Sequence, residues 1–176
     1  MENRIVISGF GGQGVLTIGK YIVYGGMNAQ KEVSWMPSYG PEMRGGTASC
    51  SVVVSDRQVG SPIVTMADAV VVMNKPSLSK YLPKVKKGGT ILINSSLIDT
   101  KADRQDINVV YVPANDLAVE CGSARSANIV MFGAFVKKVG VITYENAISV
   151  LNDSFAKKPA VLETILKCFE RGYNLD

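Results

Sequence analysis

Apolar residues fall into short unbroken runs and longer stretches with a helical repeat, and the two alternate from residue 4 to about 120. Ile5-Val6-Ile7 reads as a buried strand. From 15 to about 24 the apolar positions 15, 16, 18, 22 and 23 share one 3.6-residue face, which predicts a helix closed by Gly25-Gly26. Residues 48–55 alternate Ala48, Cys50, Val52 and Val54 with Ser49, Ser51, Val53 and Ser55. That is the pattern of a half-exposed strand with an antiparallel neighbour, and Asp56-Arg57 offers a hairpin turn. The continuous apolar runs 69–73 and 90–94 predict two buried parallel strands joined by a short helix, with Gly88-Gly89 starting the second. Residues 109–112 form a last parallel strand ending at Pro113, and 115–120 open a helix.

Beyond this point the pattern is helical. Residues 127–139 carry Ile129, Val130, Phe132, Phe135, Val136 and Val139 on a broad face suited to a central helix. Thr143 caps the next helix, and Pro159 sits at the first position of a final one reaching about Arg171. Alternating strands and helices followed by helices predict an α/β fold, three-layer, with a mostly parallel sheet, a Rossmann-like β–Gly-loop–α start and a helical C-terminal third. At 176 residues a single domain spanning 1–176 is expected.

Composition narrows the chemistry. Histidine is absent, which removes the commonest general base and metal ligand and argues against a self-sufficient hydrolase or metalloenzyme. Cys50, Cys121 and Cys168 are far apart and form no C-x-x-C, so they read as core or interface thiols and not as a disulfide framework or an iron–sulfur or zinc site. The net charge of +4 is spread over lysine pairs without interleaved aromatics, which argues against nucleic-acid binding. No apolar run is long enough for a membrane span, and Met1-Glu2-Asn3-Arg4 does not begin a signal peptide, so a cytoplasmic location is expected.

The densest signal is Gly9-Phe10-Gly11-Gly12-Gln13-Gly14, set where the first strand turns into the first helix. Glycines let the backbone take positive φ and approach another group closely, and the following helix presents free N–H groups and its positive dipole end to an anion. The spacing satisfies G-x-G-x-x-G. Two specific readings fail: Glu32 stands before the second strand and not at its end, so the ribose acid of a dinucleotide site is missing, and Tyr21 replaces the Ser or Thr that a G-x-x-x-x-G-K phosphate loop needs. The remaining alternatives are an anion cradle and a turn whose glycines serve tight packing.

A second signature runs from Trp35 to Gly46, where Pro37, Pro41 and Gly45-Gly46 define a loop between strands that presents Tyr39, Glu42 and Arg44. Arg44 either grips a phosphate or carboxylate in a forked contact or pairs with Glu42 to brace the loop.

Taken together, GFGGQG, SYGPEMRGG about 25 residues later, the segment from Arg125 through Asn128-Ile129-Val130-Met131-Phe132-Gly133-Ala134, and the tail Lys167-Cys168-Phe169-Glu170-Arg171-Gly172-Tyr173 resemble the gamma subunit of 2-oxoacid:ferredoxin oxidoreductases over essentially the whole chain. The stand-alone size, with Pro-Ser-Tyr-Gly-Pro-Glu-Met-Arg-Gly-Gly, is most similar to the 2-oxoglutarate (KorC-like) branch, although pyruvate, branched-chain 2-oxoacid and indolepyruvate enzymes carry similar gamma pieces. The resemblance implies a multi-subunit enzyme that decarboxylates a 2-oxoacid on thiamine diphosphate, transfers the acyl group to coenzyme A and reduces ferredoxin through iron–sulfur clusters. It further implies that thiamine diphosphate, Mg and the clusters sit in alpha and beta partner subunits, with or without a delta subunit, while this chain serves assembly and the coenzyme A side. The cofactor-facing set it suggests is Gly9, Gly11, Gly12, Gln13, Gly14, Tyr39, Glu42 and Arg44. The competing reading is a free-standing nucleotide-binding or sensory module without catalytic partners; a third is a scaffold that touches no ligand.

Overall fold

The computed structural model describes residues 1–40 and 46–176. Among them are β1 (Glu2–Phe10), α1 (Val15–Asn28), β2 (Glu32–Tyr39), β3 (Thr47–Ser55), β4 (Ala67–Val72), α2 (Lys75–Tyr81), β5 (Val85–Asn94), β6 (Asn108–Val112), α3 (Ala114–Glu120), α4 (Ala127–Val139), α5 (Tyr144–Ser154) and α6 (Pro159–Tyr173). The strands form one sheet in the order β2-β3-β1-β4-β5-β6. Only β3 runs against the others: it is antiparallel to β1 and β2, whereas β1–β4, β4–β5 and β5–β6 are parallel.

Strand alternation divides the core in two. Ile5, Ile7, Cys50, Val52, Val54, Ala69, Val71 and Leu92 face the layer built from α1, α3, α4, α5 and α6. Val6, Val70, Val72, Ile91 and Ile93 face the other side, where Leu78 and Tyr81 of α2 cover them. The three-layer, mostly parallel architecture read from the sequence is therefore present, with unequal outer layers. Thr143 accepts a hydrogen bond from the Asn146 N–H at 3.1 Å, and Pro159 opens α6, as expected.

Several local expectations are corrected. Helix α1 does not stop at Tyr24 but continues through Gly25-Gly26 to Asn28. Those glycines lie on its buried face, and Cβ atoms there would press on Ile142 Cδ1 at 2.7 Å and Val33 Cγ1 at 2.8 Å. They are contact residues, and the reversal falls to Gln30, at φ 56. No hairpin forms at Asp56-Arg57, because β2 and β1 already occupy both edges of β3. The antiparallel partner that follows β3 in space is instead β2, which precedes it in sequence, and the Gly40 N–H donates to the Thr47 carbonyl at 2.7 Å. Asp56 instead pairs with Lys31 and the chain's own ammonium, which hold its carboxyl at about 2. On the second face of β3, Val53 and Ser55 are buried and Ser49 and Ser51 are half-exposed, so the strand is less exposed than its alternation suggested. Residues 35–39 are not loop but the end of β2. Pro37 is tolerated there because β2 is an edge strand, where a missing N–H costs no ladder bond. Gly88-Gly89 lies inside β5, which begins at Val85, beside a register shift between Ala67 and Ala69.

The central helix α4 is buried along most of its length and crosses α6 with backbone against backbone. A Cβ at Gly172 would be driven into the Val130 carbonyl, and one at Gly133 into the Phe169 carbonyl with Tyr173 N at 2.9 Å. Phe132, Phe169, Tyr144 and Tyr173 close around this crossing, with ring centroids 4.9 to 5.9 Å apart. Cys168 lies in the same layer; burial first, and then the neighbouring Cys121, push its thiol up to about 11, while burial pushes Cys50 up to about 12. Gly172→Ala should cost about 3 kcal/mol, the upper end of overpacking penalties, because the collision is with main chain that no rotamer change relieves. Urea denaturation checks this: a midpoint within error of the parent would refute the close crossing.

Candidate functional site

The glycine loop leaves β1 at its carboxyl end and enters α1 through two residues with left-handed backbone, Gly12 at φ 92 and Gly14 at φ 75. Positive φ strains any residue with a Cβ, so these two positions require glycine for the turn itself. Their surroundings differ. A Cβ on Gly14 would lie 2.7 Å from Asn128 Cγ of α4, whereas nothing stands within 4 Å of one on Gly12. Gly9 is packed on all sides, its would-be Cβ lying 2.6 to 2.9 Å from Gln13 Oε1, Met73 Cβ and Val15 Cγ1. Gln13 braces the turn: its Oε1 accepts from the Phe10 N–H at 2.6 Å and its Nε2 donates to the Met73 carbonyl at 3.2 Å.

The two sequence signatures meet here. Because β3 runs antiparallel to β1, with Phe10 opposite Thr47, the β2–β3 connection arrives beside the glycine loop, and the Gly11 N–H donates to the Gly46 carbonyl at 2.9 Å. A cavity of about 270 Å³ opens between them, lined by Phe10, Gly11, Gly12, Gly14, Val15, Leu16, Thr17, Tyr39 and Ala48. The first turn of α1 faces this space. Its first intrahelical bond runs from the Ile18 N–H to the Gly14 carbonyl, so the preceding N–H groups lack helical partners, and no side chain caps them and no acid stands in the first turn. The free N–H groups and the positive dipole end favour an anion here. Tyr39, at 71 % exposure, forms the opposite wall and also borders a polar cleft containing Ser8, Ser38, Ser49, Ser77 and Lys80.

Of the expected residues, Gly11, Gly12, Gly14 and Tyr39 therefore share one cavity, Gly9 and Gln13 hold the loop in shape, and Glu42 and Arg44 lie outside the described residues. Thr17 and Asn115 had no signal in the sequence, since each becomes relevant only by a contact across the fold, and Asn128 was quoted there only as part of a resemblance. Arg125, quoted there only as part of a resemblance, borders a second cavity on the other flank of the loop. One signal was available for it: a lone cation just ahead of a long helix opposes the helix dipole. A larger cavity, about 820 Å³ between α3 and the end of α6, shares no lining residue with the loop. Its charges include the pairs Arg171–Glu120 and Lys167–Glu163. Among the described residues no three Cys, Asp or Glu side chains cluster as a metal site, and no helix is long and apolar enough to cross a membrane.

A glycine loop at the carboxyl end of a strand paired in parallel with β4, set beside Gly46 and leading into an uncapped helix start, defines an α/β domain of Rossmann-like construction. The chain belongs to the pyruvate ferredoxin/flavodoxin oxidoreductase family, whose model matches residues 4–175. It is 36 % identical over 173 residues to the ketoisovalerate oxidoreductase subunit VorA of Methanothermobacter marburgensis, covering 97 % of this chain but 36 % of that one. The chain thus spans about a third of those relatives' length. It is 33 % identical over 180 residues to the 2-oxoglutarate synthase subunit KorC of Methanocaldococcus jannaschii, covering 99 % of this chain and 94 % of that one. The keto/oxoacid ferredoxin oxidoreductase gamma subunit from Geobacter sulfurreducens superposes with a TM-score of 0.83 at 28 % identity, over 97 % of this chain and 96 % of that one. The 2-oxoglutarate:ferredoxin oxidoreductase from Magnetococcus marinus, with 2-oxoglutarate, coenzyme A and succinyl-CoA bound, gives a TM-score of 0.87 at 26 % identity, over 97 % of this chain and 30 % of that one. The family resemblance carried by the two glycine motifs is borne out.

The geometry separates the glycines by cost. Gly12→Ala should lose about 1–2 kcal/mol through left-handed backbone alone, and Gly14→Ala distinctly more, since it adds the collision with Asn128. Thermal denaturation of both variants tests this, and an equal loss would mean that the α4 contact is not formed.

Proposed function

We propose that the chain is the gamma subunit of a multi-subunit 2-oxoacid:ferredoxin oxidoreductase, which converts a 2-oxoacid and coenzyme A to acyl-CoA and carbon dioxide while reducing ferredoxin. The observation that carries this is the end-to-end match to KorC, 94 % of which the chain covers, together with the superposition on a coenzyme A-bound homologue. In this reading thiamine diphosphate, Mg and the iron–sulfur clusters belong to alpha, beta and delta-type partner subunits, ferredoxin is met through the complex, and the complex works in the cytoplasm. Coenzyme A supplies the thiol that accepts the acyl group. This chain's part is to hold its anionic portion, with Gly11, Gly12 and Gly14 letting the backbone come close, the α1 N–H groups donating, and Tyr39 walling the cavity. The family resemblance of their motif assigns Glu42 and Arg44 to the same set.

The substrate we assign is 2-oxoglutarate, on the length match to KorC. The higher identity to VorA favours a branched-chain 2-oxoacid as the second reading. Purification of the native protein with its partners and a 2-oxoacid screen distinguish them. The complex should reduce ferredoxin with 2-oxoglutarate and coenzyme A, and the isolated chain should be silent. Turnover by the isolated chain, or no 2-oxoacid activity in the complex, would refute the assignment, and preference for ketoisovalerate would move it to the second reading.

Arg44→Lys keeps the charge and loses the planar fork. If Arg44 grips an anion of the ligand, the complex should assemble normally yet lose about ten-fold or more in kcat/KM, the worth of a charge-assisted contact of about 1.5–3 kcal/mol. A brace for Glu42 would leave the kinetics unchanged.

A further inference from the structure

Two of the three cysteines meet where α3 packs on α6. Cys121 closes α3, Cys168 lies within α6, and the two thiols are near enough to share a hydrogen bond. Their exposures differ. Cys121 is half-buried and lines the cavity of about 820 Å³ between the two helices, beside Leu117, Leu166 and Arg171, whereas Cys168 is fully buried and takes no part in that lining. The third cysteine, Cys50, is buried elsewhere, with its sulfur 3.7 Å from the Val15 carbonyl oxygen. A small oxidant entering the cavity therefore meets the Cys121 sulfur first and finds Cys168 behind it, the pairing of a reachable thiol with a resolving one.

The backbone settles which sulfur can move. A disulfide needs its sulfurs about 2.05 Å apart, closer than a hydrogen bond brings them, so one side must shift. Helix α6 is pinned, because its backbone lies against the α4 main chain at Gly133 and Gly172. Helix α3 is short and ends at Cys121, and the next residue, Gly122, turns at φ 86 with nothing within 4 Å of the place a Cβ would take. The adjustment falls to Cys121.

We propose that Cys121 and Cys168 form a peroxide-responsive dithiol, in which oxidation of Cys121 from the cavity ends in a disulfide that fastens α3 to α6. In the first step the Cys121 sulfur attacks one oxygen of hydrogen peroxide: an S–O bond forms, the O–O bond breaks, and the thiol proton leaves with the departing hydroxide as water. Cys121 is then a sulfenic acid. In the second step the Cys168 sulfur attacks the Cys121 sulfur: the S–S bond forms, the S–O bond breaks, and the Cys168 proton leaves with the hydroxide as a second water. Two electrons pass from the thiols to the peroxide. Burial first, and then Cys121, hold the Cys168 thiol up at about 11, so it stays protonated until a sulfenic acid stands beside it. Because the chain runs from Cys121 through Arg125 straight into α4, the bond also restrains the turn that borders the second cavity beside the glycine loop. None of this rests on the oxidoreductase reading.

The test uses the full chain, reduced, freed of reductant, exposed to hydrogen peroxide, and mapped by mass spectrometry after digestion without reduction. The map should show a Cys121–Cys168 peptide that dithiothreitol removes. The oxidised chain should melt about 5–15 °C higher than the reduced one, since the bond closes a loop of about 50 residues in the unfolded chain. Cys50→Ala should give the same cross-linked peptide. Cys168→Ala should stop at a Cys121 sulfenic acid that dimedone traps, and Cys121→Ser, a change at a half-buried position, should leave Cys168 unmodified. The proposal is overturned if the parent shows no cross-link, or if dimedone labels Cys168 in Cys121→Ser as readily as it labels Cys121 in Cys168→Ala. A cross-linked chain that melts no higher than the reduced one refutes the fastening of α3 to α6. Absence of 2-oxoacid turnover in the complex would overturn the functional reading and leave each of these outcomes as it stands.

Discussion

The antiparallel pairing of β3 on β1 is the interaction on which the site depends. In a fully parallel sheet the chain reaching the edge of β1 would arrive at the opposite end, and a hairpin connection could not meet the glycine loop. Here one reversed strand brings Thr47 opposite Phe10 and Gly46 to within a hydrogen bond of Gly11. Two segments separated by about 25 residues of sequence thus become two walls of one cavity. The other edge of β1 stays parallel to β4, and a second cavity opens at the carboxyl ends of those strands.

That arrangement places three kinds of positive character around one turn: uncapped N–H groups at the start of α1, the start of α4, and a guanidinium without a carboxylate partner among the described residues. None of these stabilises the folded chain by itself. A cation ahead of a helix start costs about 0.3–1 kcal/mol, and free N–H groups are satisfied only by solvent or a ligand. The loop is held instead by neutral means, the Gln13 amide bridging Phe10 and Met73 and the close seat of Gly14 on Asn128. Shape and charge are therefore separable here, so the charge can answer to a ligand.

Much of this was legible in the sequence, for physical reasons that differ between elements. Residues 69–73 and 90–94 announce themselves because a strand buried on both faces must be apolar throughout, and α4 because a helix buried nearly all round carries apolar residues on a broad face. The glycine loop was legible because positive φ at Gly12 and Gly14 demands glycine. What failed was punctuation. Gly25-Gly26 and Gly88-Gly89 look like breaks, yet the first pair sits within α1 to admit Ile142 and Val33, and the second lies inside β5 at a register shift; local propensity has no access to what crosses above. Pro37 misled in the same way, because whether a proline breaks a strand depends on whether that strand is at an edge. That Arg125 has no carboxylate partner among the described residues becomes visible only once its neighbours are assembled, although its place just ahead of a long helix could be read from the sequence.

The crossing of α4 and α6 has a consequence for how such chains can diverge. When a small residue makes room for a large side chain, a second substitution that shrinks the neighbour restores the fit, and the pair can drift together. Gly133 and Gly172 make room for carbonyl groups of Phe169 and Val130, which are the same in every amino acid. No substitution in either helix can shrink them, so neither glycine has a compensating partner. The two positions, 39 residues apart, are frozen independently of each other and of everything packed around them.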